Sequence, residues 1–161
     1  MGDPELTYEL EKTLWTDQDF DLMGWHDAQI YAISFATDFE FVLDIDYIFK
    51  WVTPGEGETY FKFWVSPCTL VFENVWDLKL EVSSSVGLEI NDILRTDPRP
   101  AKNAEFMQHR PEYSWIIETQ QGSIEFNSVG YKLFVRQLPS LLDSQQIDHS
   151  QRVMSFERKE A

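Results

Sequence analysis

The sequence predicts a mainly β, single-domain protein: an antiparallel β-sandwich or partly closed barrel with short helical N- and C-terminal segments. Three observations predict it. A two-residue apolar alternation sets in at Trp25 and persists to Arg136. About eight short apolar runs follow one another at short spacing, separated by turn residues. The chain has 161 residues, 43% hydrophobic and 15% aromatic, which fits one core that buries about 70% of the unfolded surface and excludes wholesale disorder despite a net charge of −15. The expected organisation is a lead-in segment at 1–24, a β-domain at 25–138, and a C-terminal tail at 139–161, helical or disordered.

The elements follow in order. In the lead-in, Leu10 and Leu14 stand at i, i+4 and suggest one or two helical turns over 7–15, ended by the acidic cluster from Thr16 to Asp21. Residues 28–35 alternate as a strand with Tyr31, Ile33 and Phe35 on one side. Phe41, Leu43, Ile45, Tyr47, Phe49 and Trp51 then alternate against Val42, Asp44, Asp46, Ile48 and Lys50. If both apolar sets face one core and the turn centres near Asp38, paired residues sum to about 76.

Residues 53–58 form a Pro/Gly loop before strands at 60–65 and 69–73, and Pro67 between them removes a backbone donor, suggesting a bulge or bend at an edge. Strands follow at 76–82 and 87–94. Residues 95–112, with Pro98, Pro100 and Pro111, read as a long loop with a helical turn near 104–108. A meander at 113–120, 123–127 and 130–136, turning at Gln121-Gly122, completes the sheet. No fixed-period repeat or low-complexity tract occurs.

Charge excludes whole classes of partner. Residues 1–60 hold 14 Asp/Glu against Lys12 and Lys50, and 61–161 hold 14 against 11 Lys/Arg, or −12 and −3. Such a field repels phosphate backbones and anionic headgroups, so neither nucleic acid nor a membrane surface is an expected partner, whereas a basic protein or a cation is. Cys68 is the single cysteine and rules out an intrachain disulfide. With no signal-type start and no apolar run long enough for a membrane span, the expected compartment is the cytoplasm. The Met1-Gly2 start is followed by Asp3, Pro4 and, at position six, Leu6, which is not a myristoylation signal.

Five residues are candidate binding positions: Asp44, Asp46, His26, Tyr60 and Trp64. Asp44 and Asp46 stand at i, i+2 on one strand face, about 6.8 Å apart, so they would chelate a cation together or else line a solvent face. Their apolar neighbours Val42 and Ile48 argue for partial burial, which raises a carboxyl pKa or demands a partner. His26-Asp27 invites an acid–base or metal reading. The 76-sum register places His26 opposite Lys50 and Ile30 opposite Asp46, so a shared His26/Asp44/Asp46 metal shell is not expected, and the pair closes the strand's entry instead. Alternation splits Phe61/Phe63 from Tyr60/Trp64 and makes the latter an exposed or ligand-facing pair. Cys68, in an apolar stretch without a nearby base, reads as a buried inert thiol. No nucleophile elbow, phosphate loop, dinucleotide fingerprint or zinc-protease motif occurs. No metal centre and no cofactor is assigned.

The run Trp25-His26-Asp27-Ala28-Gln29-Ile30, the run Leu43-Asp44-Ile45-Asp46-Tyr47-Ile48-Phe49-Lys50-Trp51 and the segment from Phe63-Trp64-Val65 to Leu78 resemble an uncharacterised family of small bacterial cytoplasmic proteins. The resemblance spans about 25–136, implies a bacterial cytoplasmic β-domain and carries over no catalytic residue. The Trp-His-Asp opening and acidic build are also similar to bacterial toxin-immunity proteins. The expected function is a non-enzymatic acidic binding module that engages a basic protein partner, of the immunity type. The alternative is a small-ligand or divalent-metal-dependent enzyme using the Asp44/Asp46 carboxylates, helped by Glu40 or His26. A third reading is recognition of a sugar or peptide through Tyr60 and Trp64.

Overall fold

A computed structural model describes residues 7–161; the Met1-Gly2 start and the rest of 1–6 lie outside the described residues. The described residues are mainly β, with ten strands in one antiparallel sheet that does not close. They are β1 (Leu14–Thr16), β2 (Gln29–Ala36), β3 (Glu40–Val52), β4 (Lys62–Glu73), β5 (Trp76–Val82), β6 (Leu88–Pro100), β7 (Pro111–Thr119), β8 (Gly122–Ser128), β9 (Gly130–Val135) and β10 (Ser140–Leu142). Their order is β1-β9-β4-β3-β2-β6-β7-β8-β5, with β10 also on β4. The sheet folds over itself. Phe126 of β8 meets Phe72 of β4 at 4.7 Å between ring centroids, and Trp115 of β7 meets Tyr131 of β9 at 5.9 Å. Leu43, Ile45, Leu70, Ile117, Ile124 and Leu133 fill the space between the two halves. No described helix is long and apolar enough to cross a membrane.

Among the described residues, no helix forms over 7–15 or in the tail at 139–161. Leu14–Thr16 pairs with β9 instead, and the acidic cluster that follows makes a short 3-10 helix at Asp17–Leu22, because Thr16 and Asp19 cap it reciprocally. At the other end, β10 adds to β4, and the rest of the tail crosses the outer face of β3 and β4 through bends and turns, with no helix or strand. The loop expected at 95–112 is also shorter: β6 continues to Pro100 through a register shift between Thr96 and Arg99, β7 resumes at Pro111, and the expected helical turn is a 3-10 segment at Ala104–Met107.

The β2–β3 register sums to 76 from Ala32↔Asp44 through Ala36↔Glu40, around a turn with Asp38 and Phe39 in the left-handed region. A bulge between Ile30 and Ala32 then shifts the pairing by one, so Gln29, and not Ile30, faces Asp46. The bulge also sends Tyr31 away from Ile33, to lie against the tail. A second bulge between Ile48 and Lys50 takes Trp51 out of the inward row and sets it opposite Phe63. β4 runs unbroken through Pro67, in the interior of the sheet. Arg136 N–H donates to the Pro67 carbonyl, so the proline's missing donor faces the place where β4's neighbour changes from β10 to β9.

Candidate functional site

Two regions collect the residues with chemistry. The first is built on the outward face of β3. Alternation places Val42, Asp44, Asp46 and Ile48 there, opposite the core row, and β4 adds Val65 and Thr69 beside them. An apolar face of this kind is costly to leave wet, and the tail covers it: Leu142 and Ile147 pack on Ile48, Phe63 and Val65. Covering the apolar groups also covers the carboxylates. Asp44 is 0% exposed and Asp46 2%, so the aspartates form no solvent face.

Burial of two carboxylates demands counter-charge, and the chain supplies two arginines. Arg136, at the end of β9, donates to Asp44 Oδ1 at 2.8 Å and to Thr69 Oγ1 at 2.7 Å. Arg152, from the tail, donates to both Asp44 oxygens and, through Nε at 2.8 Å, to Asp46 Oδ1. Backbone donors complete the shell: Ile147 N–H to Asp46 Oδ2 at 3.0 Å and Ser155 N–H to Asp44 Oδ2 at 2.9 Å. The Tyr31 ring lies 4.5 Å from the Arg152 guanidinium and closes its other side. Burial pushes the Asp46 carboxyl above its ordinary value, against the opposing charge of Arg152 and the Ile147 amide. Burial works against the Arg152 charge, yet its hydrogen bonds to Asp44 and the charges of both aspartates raise its pKa further.

This arrangement is a structural clamp. The oxygens that would ligate a cation already accept hydrogen bonds from guanidinium and amide groups. Glu40, the expected helper, is bridged by Arg158. Among the described residues no three His, Cys, Asp or Glu side chains are grouped to hold a metal ion. Sequence reasoning missed Arg136 and Arg152. Its signal was indirect, since carboxylates flanked by Val42 and Ile48 require a buried cation, and Arg152 sits in the tail beside Val153 and Met154.

The −12/−3 asymmetry along the chain is therefore not an asymmetry of the surface. Arginines of the second segment cross to acids of the first: Arg110 to Asp17, Arg136 and Arg152 to Asp44 and Asp46, and Arg158 to Glu40. Among the described residues, the exposed acids of the first segment that make no ion pair are Glu9, Glu11, Asp21, Asp38, Glu56 and Glu58.

The second region is the tip of the β3–β4 hairpin. Strand β4 begins at Lys62, so Tyr60 and Phe61 lie in the loop, and alternation does not reach them. Tyr60 is 81% exposed, while Trp64 is buried with its ring 5.7 Å from Tyr8; the two do not form one ligand-facing pair. The exposed rings here are Trp51, Tyr60 and Phe61. Trp51 stacks on the His26 ring at 6.1 Å and meets Phe61 edge-on at 6.0 Å. His26 is exposed and away from the aspartate clamp; its Nδ1 lies 3.3 Å from the Asn91 carbonyl oxygen and its Nε2 lies 3.4 Å from Asp27. Asp27, in the left-handed region, donates its N–H to the Ile90 carbonyl and ties the entry of β2 to β6. A cleft of about 910 Å³ opens beside the tip, lined by Tyr8, Glu9, Lys50, Glu58, Lys62 and Trp64 among others. Cys68 is fully buried in the core, and burial pushes its thiol pKa well up.

No protein-family model, curated protein or solved structure matches this chain.

Proposed function

We propose that this protein is a non-enzymatic acidic binding module whose contact surface is the β3–β4 hairpin tip, and that its partner is a basic protein. One observation supports this reading above the others: Trp51, Tyr60 and Phe61 stand exposed on the same hairpin as Glu56 and Glu58, which make no ion pair among the described residues. Aromatic rings supply large contact area at low entropic cost and anchor interfaces, while unpaired carboxylates steer a cationic surface and fix its register. Glu9 adds a further carboxylate on the adjoining cleft, which Lys50 and Lys62 also line. An immunity-type pairing with a basic toxin is the instance that the Trp25-His26-Asp27 opening suggests, and a bacterial cytoplasmic setting accompanies it.

The Asp44/Asp46 enzyme reading has less support, because its carboxylates are satisfied by Arg136 and Arg152.

The test is capture from lysate on immobilised protein at low salt, with elution by a salt gradient and identification of what is released. The expected result is a basic protein that is retained at low salt and released as salt rises. Its retention should fall about tenfold or more when Trp51→Ala and Tyr60→Ala are combined. Recovery of no basic protein, or unchanged retention by that double variant, would remove the proposal.

A further inference from the structure

The strand order ends at β5, and among the described residues no strand pairs with its outer edge. An unpaired edge is a template for another strand, and proteins usually blunt it with charge, proline or a covering element. Here Leu80 is 43% exposed and Val82 40%, and the charged residues Lys79 and Glu81 alternate with them on the opposite face, joined to each other at 3.2 Å.

The direction of the backbone groups is fixed by β8. Ser83 N–H donates to the Gln121 carbonyl at 2.9 Å, and Val82 stands opposite Gly122. Backbone groups alternate between the two edges of a strand, so those of Lys79, Glu81 and Ser83 face β8, and those of Leu80 and Val82 point outward. A second strand added antiparallel at this edge therefore meets the N–H and C=O of Leu80 and Val82.

We propose that the occupant is a second copy of this chain, joined β5 to β5 about a two-fold axis at Leu80. An isologous contact sets residues i and j opposite each other twice, so a charge pattern either repels itself or satisfies itself. With the axis at Lys79, lysine faces lysine. With the axis at Glu81, glutamate faces glutamate. With the axis at Leu80, Lys79 of each copy faces Glu81 of the other, and Leu80 faces Leu80 with the outward N–H and C=O of both exchanging hydrogen bonds. The regular part of β5, from Lys79 to Val82, makes this contact, and the bulge between Trp76 and Lys79 ends it at Leu78. Lys79 also has Glu125 of β8 across from it, so in the pair it sits between two carboxylates. Opposite charges directly across a strand pair stabilise it and like charges destabilise it. Among these three registers, this sequence favours the one centred on Leu80.

The experiment is sedimentation velocity on the full chain at about 0.15 M salt, where a Debye length of about 8 Å screens the repulsion between two acidic chains. Four samples are compared: wild type, Lys79→Glu, Glu81→Lys, and an equimolar mixture of the two variants. Both substitutions fall on side chains more than half exposed, and a thermal melt verifies the fold of each. Wild type is expected to dimerise reversibly as its concentration rises toward several hundred micromolar. Each variant alone sets like charges face to face and should associate about tenfold or more weakly. The mixture restores Glu against Lys at both facing positions and should associate at least as tightly as wild type. A wild type that stays monomeric throughout, single variants that dimerise as well as wild type, or a mixture no stronger than its components would each overturn the proposal.

Discussion

Replacing Arg152 by methionine keeps most of the side-chain volume and removes the charge that the tail contributes to the clamp. Arg152 is 2% exposed and bonds both Asp44 and Asp46. Without it, Asp44 retains Arg136 and the Ser155 amide, while Asp46 retains the Ile147 amide alone. Removing one partner of a buried ion pair leaves an uncompensated charge and costs about 3–5 kcal/mol. In a domain of this size that corresponds to a fall in Tm of roughly 6–20 °C. Arg158→Met is the internal control, because the Arg158–Glu40 bridge is half exposed on the arginine side and such pairs contribute at most about 1 kcal/mol. Urea denaturation and thermal melts of both variants measure the difference. Equal, small losses for Arg152→Met and Arg158→Met would refute the reasoning that the tail is fastened by a buried charge cluster.

Further outcomes follow from neighbouring groups. Because burial raises the folded pKa of Asp46, the folded state holds that proton more tightly than the unfolded state. The resulting stabilisation is fully present below about 3.8 and is lost as pH rises through the raised value. The advantage of wild type over Asp46→Asn in urea melts should therefore be smaller at neutral pH than at about pH 3.5; an advantage that grows toward neutrality would contradict this. Gly130→Ala drives a Cβ into the Asp17 carboxylate and to 2.8 Å from Arg110 Nη2 at a φ of +154°, and should cost about 2–3 kcal/mol by denaturation, less in an Asp17→Ala background, where the Asp17 clash is removed and the Arg110 contact and the backbone strain remain. Cys68, fully buried with its pKa pushed up, should resist a thiol reagent in the native protein and react only at the rate at which the chain unfolds.

Much of the architecture is legible in the sequence because the two-residue period is a direct consequence of strand geometry. It places Phe41, Leu43, Ile45 and Tyr47 inward, and the turn near Asp38 fixes their pairing to β2 as far as Ala32. The period fails where a bulge adds a residue, at Tyr31 and at Phe49, because a bulge changes register without leaving a compositional mark. The 3-10 helix and β1 near the N-terminus escaped for a related reason. A three-residue strand has too few positions to show a period, and Leu10/Leu14 matches a helix spacing by chance.

The clamp was half legible. The mixture of Asp44 and Asp46 with Val42 and Ile48 on one face signalled burial and a need for partners. Which cations answer that need is a long-range fact, joining β3 to residues some ninety to a hundred and eight positions away. A polar tail with no periodicity gives no local sign of crossing a sheet, yet it does so here because it carries Ile147 and Arg152 to an apolar face with two charges in it. At the hairpin tip, alternation carried back to Tyr60 pairs it with Trp64, but β4 starts at Lys62 and the two residues part there.

Amide hydrogen exchange at Ile147 and Ser155, resolved by NMR, tests most directly that the tail seals the Asp44/Asp46 carboxylates inside the protein. Both amides lie outside any strand or helix and, among the described residues, bond to those carboxylates alone. The expected result is exchange slowed to the level of the β3 and β4 ladder amides, with the protection of both lost together in Arg152→Met. Exchange at the rate of an unstructured chain in the wild-type protein would contradict it, and would return Asp44 and Asp46 to the surface as open ligands.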